Sequence, residues 1–142
     1  MAASLSLLLP VCNAQKGLET QVERVLDVLP ELSDRFDVVI IDDASTDETH
    51  EVAADLARRY PQVEVVRHPV RRGVEQAIQT GRGRSTADVV MVHASDEPLD
   101  AAKLATLWST SSAKVDRRDR AAANDRKPAA KERRRIVPTA RD

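Results

Sequence analysis

Asp37-Val38-Val39-Ile40-Ile41-Asp42-Asp43-Ala44-Ser45-Thr46-Asp47 is the stretch on which the fold turns. Four β-branched residues in a row suit a strand covered by apolar groups on both faces, as in a parallel sheet. The strand stops at Asp42, where carboxylates begin. Ser45 and Glu48 stand at capping-box spacing ahead of a helix. Val52, Ala53, Leu56, Ala57 and Tyr60 then recur on one helical face until Pro61 ends the pattern.

The same alternation extends in both directions. Leu5 to Val11 is a short apolar run that reads as a buried strand, followed by Leu18, Val22, Val25, Leu26 and Leu29 at helical spacing, with Pro30 near the helix end. Val63 to Arg67 is strand-like, Gly73 to Thr80 is helical in pattern, and Val89 to His93 is another β-branched run. Asp100 is placed to cap a last helix through Trp108. Strands alternating with helices imply an α/β fold, a doubly wound, mainly parallel, Rossmann-like sheet. Ligands of such sheets sit outside the carboxyl ends of the strands. Asn13, Asp42, Asp43, His68, Asp96 and Glu97 follow the strands, so polar groups gather on that edge.

The chain has 142 residues, 42% of them apolar and only 2% aromatic. One domain with an aliphatic core is expected. The scarcity of aromatics argues against base stacking, and no nucleic-acid partner is expected. The formal charge of −1 conceals an asymmetry: 11 Lys/Arg against 5 Asp/Glu from Ser109 onward, and 11 against 18 before it. That last segment contains no Leu and no aromatic, so the expected division is a folded domain over 1–108 and a basic, disordered tail over 109–142 whose removal costs little. Cys12 is the single cysteine, which fits a reducing compartment. The apolar start is too short for a signal-peptide core or a membrane span. A cytosolic location is expected, any peripheral attachment being to the inner face of a membrane, and a further reading makes the basic tail a tether to anionic lipid or nucleic acid.

Taken in order, these motifs resemble the family 2 glycosyltransferases, specifically the N-terminal, nucleotide-sugar-binding half of their A-type fold. Leu7-Leu8-Leu9-Pro10-Val11-Cys12-Asn13 is similar to the family's first strand and loop, and Val39 to Asp47 to its aspartate-pair signature. Arg72-Gly73, Gly81, and Asp88 to His93 running into Ala94-Ser95-Asp96-Glu97 continue the match over roughly residues 4 to 108. The resemblance implies a nucleotide-diphosphate sugar as ligand. Pro10, Val11 and Asn13 would line the nucleotide pocket, and Asp43 would accept a hydrogen bond from the base. The competing reading of Asp42 and Asp43 is that they begin a loop and favour the next helix N-terminus. Arg71 and Arg72 either face the diphosphate or form a solvated basic loop.

The family's metal motif has two aspartates flanking one residue, and Ala94, Ser95 and Asp96 fall at those positions. Asp96 is therefore the single carboxylate implied for Mg²⁺ or Mn²⁺, with diphosphate oxygens completing the shell. Glu97 is a second-ligand alternative, and His93 reads as a strand-end histidine satisfied by backbone. Cys12 stands where an aromatic is usual, Ala14 where an acid is frequent, and Ala44 where glycine is usual. Gly81-Arg82-Gly83 follows a helix pattern and is no dinucleotide fingerprint. Cys12 reads as an inert buried thiol.

The activity implied is transfer of a sugar from its nucleotide to an unidentified acceptor hydroxyl. Nothing in Ser109 to Asp142 resembles the family's acceptor-binding segment or its catalytic base, so a truncated or degenerate transferase is expected and no catalytic residue is assigned. The alternative is a non-catalytic module that binds a nucleotide sugar or a partner.

Overall fold

A computed structural model of the chain describes residues 3–95 and 97–125, of which 116–125 are described by backbone alone. Among the described residues four strands, β1 (Leu5–Val11), β2 (Phe36–Asp42), β3 (Val63–Arg67) and β4 (Val89–Val92), alternate with four helices. The helices are α1 (Leu18–Leu32), α2 (Thr49–Arg59), α3 (Val74–Arg84) and α4 (Ala101–Asp125). Every strand pair is parallel and the spatial order is β3-β2-β1-β4. The chain moves outward from β1 to β3, then returns to the other side of β1, so the order reverses between β1 and β4. The fold is the doubly wound α/β sheet expected of the sequence.

Side chains of a strand alternate between faces, and the two faces have different owners. Leu5, Leu7 and Leu9 join Val38, Ile40, Val63, Val89 and Met91 in one core with residues of α1, α2 and α4. Leu8, Val39 and Ile41 join Ala77 of α3 on the other face, with Ile78, Val66 and Val90 packed around them. Ser6 shares that second face. It is fully buried, and it is satisfied by accepting from the Ser85 hydroxyl and donating to Asp37. Burial pushes the Asp37 carboxyl above its usual range; the Ser6 hydroxyl opposes the shift, and the nearby charge of Glu64 adds to it.

Gly81 sets how closely α3 approaches the sheet. A Cβ there would lie 2.9 Å from Ile41 Cδ1 and 2.9 and 3.0 Å from the two δ carbons of Leu8, both fully buried residues. Turning Leu8 to relieve one contact brings its other methyl forward. Gly81→Ala gains about 1 kcal/mol of helix propensity but incurs about 1–3 kcal/mol of overpacking. The expected result is a net loss of about 1 kcal/mol in urea melts.

Two expectations are corrected. Ser45 and Glu48 do not form a capping box: α2 starts at Thr49, and Asp47 caps it by accepting from the Thr49 amide at 2.8 Å and from its hydroxyl. Ser45 is instead held by Asp42. The domain boundary at Trp108 is likewise not a structural end, because α4 continues to Asp125 and Val115 is only 4% exposed within the first core. Leu104, Trp108 and Val115 lie along one helical stripe, a pattern too thin to stand out among Ser, Thr, Lys and Asp. Asp100 caps this helix through the Lys103 amide at 3.1 Å. The disorder expected of the tail falls, beyond Asp125, on residues outside those described.

Candidate functional site

The acidic pair straddles the sheet. Asp42 has the parity of Ile40 and turns toward α2, whereas Asp43 has the parity of Ile41 and turns toward α3. Both are buried, at 0% and 5% exposure. Their partners differ accordingly.

On the α2 side, Asp42 Oδ1 accepts from the Ser45 amide at 3.1 Å and from the Ser45 hydroxyl. Its Oδ2 has no hydrogen-bond partner among the described residues, but Arg67 Nε and His50 Nδ1 each lie 3.7 Å away. Ser45 Oγ in turn accepts from the Asn13 amide at 2.9 Å. The Asn13 side chain accepts from the amides of Thr46 and Asp47 at 2.8 and 3.3 Å. Further along, the Ala14 amide donates to Thr49 Oγ1 and the Glu48 amide to Gln15 Oε1. The loop after β1 is thus stapled to the start of α2. Asn13 and Ala44 take left-handed conformations there, with φ of 54° and 57°. Asn tolerates this; Ala does so at a cost of about 1–2 kcal/mol.

On the α3 side, Asp43 holds the entry to α3. Its Oδ1 accepts from the Arg72 amide at 2.9 Å and from His68 Nδ1 at 2.9 Å, and its Oδ2 accepts from the Gly73 amide at 2.8 Å. Gly73 has φ of 95°, a conformation that favours glycine. Burial raises the Asp43 pKa, but the His68 bond, the two amides and the nearby imidazole outweigh it, so the carboxyl lies below its ordinary range. His68, itself buried, bridges to Thr80 of α3 through Nε2 at 2.8 Å. The Cys12 thiol donates to the Asp43 carbonyl at 3.4 Å and is half-buried, less enclosed than expected.

The residues singled out in the sequence are distributed as follows. Pro10, half-buried, shares the α3-facing parity with Asp43, and the Arg72 backbone is bound to Asp43 while its side chain is exposed. Val11 packs against the first core, and the Asn13 side chain is engaged with the start of α2. Asp96 lies outside the described residues. In the same loop, His93 Nε2 meets the Glu97 carbonyl at 2.9 Å, the backbone satisfaction expected of it. Gln21 of α1 donates to the carbonyls of Ser95 and Glu97 at 3.3 Å. No group of three or more His, Cys, Asp or Glu able to hold a metal is present among the described residues.

A separate cleft of about 690 Å³ opens on the α1 face, lined by Asn13, Lys16, Gln21, Arg24, Asp47 and Pro98 among others. It does not include Pro10, Asp43 or Arg72. Sequence reasoning missed both this cleft and the His68 bridge. The only signal for the bridge was that His68 follows a strand.

Parallel strands in this order, with a buried acidic pair and a loop that turns at Gly73 beyond their carboxyl ends, define a Rossmann-like α/β unit. The chain belongs to glycosyl transferase family 2, whose sequence pattern matches residues 6–114. It is 32% identical over 92 residues to a dolichol-phosphate mannosyltransferase of Pyrococcus furiosus, covering 65% of this chain and 25% of that one. Over 82 residues it is 33% identical to a dolichyl-phosphate beta-glucosyltransferase of Trichomonas vaginalis, covering 54% and 25%. The chain therefore spans about a quarter of the length of these relatives.

Among solved structures, the mannosyltransferase PcManGT from Pyrobaculum calidifontis, in complex with GDP-Man and Mn²⁺, superposes with a TM-score of 0.65 at 23% identity. That match covers 74% of this chain and 31% of PcManGT. S. aureus TarS in complex with UDP-GlcNAc superposes at 0.59 and 18% identity, covering 75% and 30%. At these identities the superpositions establish the shared fold. Among the described residues no helix is long and apolar enough to cross a membrane.

Proposed function

We propose that the chain is the donor-binding part of a glycosyltransferase. It would hold the nucleoside diphosphate of a nucleotide sugar at the carboxyl edge of β1 and β2, for transfer of the sugar to an acceptor hydroxyl. The observation that carries this reading is Asp43: a buried, ionised carboxylate that fixes the Arg72–Gly73 turn, in a chain of family 2. An ionised carboxylate accepts strongly from a ring N–H. Pro10 would flank the base, Val11 and Asn13 would shape the loop from behind, and Arg72 would face the diphosphate and offset charge on the leaving group. The α1-face cleft is not assigned to the nucleotide, since its lining lacks Asp43.

Calorimetry with uridine and guanosine diphosphate is the test. Binding that is weakened more by Asp43→Ala than by Asp47→Ala supports the reading. No binding at millimolar concentration overturns it.

For a divalent cation, Asp96 is the proposed protein ligand. PcManGT is in complex with Mn²⁺, and Mg²⁺ or Mn²⁺ needs only one or two protein carboxylates when phosphate oxygens supply the rest. Ala94 withholds the second. Ala94→Asp is expected to increase the enhancement of diphosphate binding by Mn²⁺, and Asp96→Ala to remove it. An unchanged metal dependence in both variants would contradict this assignment.

A second reading, a module that binds a nucleotide sugar without turnover, is favoured by Ala94, which supplies no carboxylate at its position. Release of nucleoside diphosphate across a panel of sugar nucleotides and acceptors separates the two. The location proposed is the cytosol, with peripheral attachment to an anionic membrane face through the basic C-terminal residues.

A further inference from the structure

The polar groups behind Asp43 form a string that the donor-binding reading does not itself use. His68 sits between Asp43 Oδ1, 2.9 Å from Nδ1, and Thr80 Oγ1, 2.8 Å from Nε2. Its side chain is 4% exposed and that of Asp43 is 7% exposed. The bridge spans strand end to helix, from the loop after β3 to the last turns of α3.

A carboxylate offers about four acceptor directions. Among the described residues three are filled at Asp43: Oδ1 by His68 and the Arg72 amide, and Oδ2 by the Gly73 amide. One remains, on Oδ2. If His68 let go, Oδ1 would regain an acceptor direction and the carboxylate could turn away from the amides that aim it. The ring is held at its far side by Thr80, so its donor is fixed in direction. Both contacts are satisfied when Nδ1–H donates to Asp43 and Nε2 accepts from the Thr80 hydroxyl.

We propose that His68 is the positioning residue that makes Asp43 a selective reader of the base. By occupying Oδ1 it leaves a single acceptor, on Oδ2, matched to a base that presents a ring N–H. Uracil and guanine present such a donor. Cytosine presents an unprotonated ring nitrogen, which meets the carboxylate lone pair to lone pair. This proposal rests on the donor-binding reading and adds the residue that sets base selectivity.

Two substitutions at His68 separate positioning from mere packing. The amide nitrogen of His68→Asn can stand in for Nδ1–H and keep the bond to Asp43, while losing Thr80. His68→Gln reaches toward Thr80 and loses Asp43. Affinities for uridine, guanosine and cytidine diphosphate are measured by calorimetry on the full chain, with thermal melts of each variant alongside. The wild type is expected to prefer the better of uridine and guanosine diphosphate over cytidine diphosphate by about tenfold or more, the scale of one charge-assisted hydrogen bond. His68→Asn should keep most of that ratio. His68→Gln should lose it, chiefly through weaker binding of the preferred nucleotide.

Variants with equal ratios, or a His68→Gln protein with the wild-type ratio, would overturn the role of His68 while leaving the donor-binding reading intact. A wild-type chain that binds no diphosphate would overturn both. If either variant does not fold, nitrogen chemical shifts of the wild-type imidazole decide the matter. A protonated Nδ1 and an unprotonated Nε2, with the Nδ1 signal moving when uridine or guanosine diphosphate but not cytidine diphosphate is added, supports the proposal. The opposite tautomer, or no response to any nucleotide, overturns it.

Discussion

Asp43→Ala is expected to lower the stability of the chain by about 3 kcal/mol and to remove measurable nucleoside diphosphate binding. The substitution deprives three donors at once, His68 Nδ1 and the amides of Arg72 and Gly73, in a place only 5% exposed. A buried donor without a partner costs about 1–3 kcal/mol, and water admitted to the gap recovers part of the sum. Asp47→Ala also removes three contacts, to the two Thr49 donors and the Gln15 amide, but at a more open site where water takes over, so its cost is smaller.

Asp43 also leaves a signature in pH. Its folded pKa is depressed, so its contribution is fully present above the unfolded value of about 3.9 and is lost as pH falls through the lower, folded value. Urea melts at descending pH should show the wild type losing stability below about pH 4, and the Asp43→Ala protein losing less. Parallel pH curves for the two proteins would show that the carboxylate is not held as described.

Ending the chain at Trp108 is the second large effect, and it reverses what composition suggests. Val115 is buried against the first core by α4, together with Leu104 and, in part, Trp108. Burying a valine is worth about 1.5–3 kcal/mol, and shortening the helix after Trp108 also exposes the groups beneath it. The chain cut after Trp108 is expected to be less stable than the intact chain by about 2–3 kcal/mol, a shift visible in thermal melts. A chain cut after Asp125 keeps Val115 and should melt well above it. Val115→Asp in the intact chain should reproduce most of the loss. Equal melting temperatures for the intact chain and the chain ending at Trp108 would mean that α4 beyond Trp108 contributes nothing to the core.

Much of the fold was legible because parallel strands carry their signal locally. Leu5 to Val11 and Val63 to Arg67 were readable to the residue, the first as an apolar run and the second as valines around Glu64 between Gln62 and His68. The opposite aims of Asp42 and Asp43 were implicit in the period of two, but a paired motif invites reading as one unit. The capping box misled because Ser45 had a stronger local partner in Asp42, one turn earlier. The extension of α4 was hidden by a stripe of one apolar residue per two turns, where composition outweighs periodicity.

The candidate site was harder to read than the fold. Asp43 and Arg72 were both singled out, yet what joins them is the Arg72 amide, which every residue type except proline possesses. His68 and Thr80 come from different elements, so no spacing rule links them. The stapling of Asn13 to the start of α2 likewise depends on two loops brought together only by the sheet.

The most direct test of the central claim is amide chemical-shift mapping of the isotopically labelled chain titrated with uridine or guanosine diphosphate. Donor binding at the carboxyl edge should move the amides of Val11 to Asn13, Asp43, Arg72 and Gly73 while leaving Lys16 to Arg24 nearly unchanged. Shifts confined to Lys16 to Arg24, or no shifts at millimolar nucleotide, would contradict it.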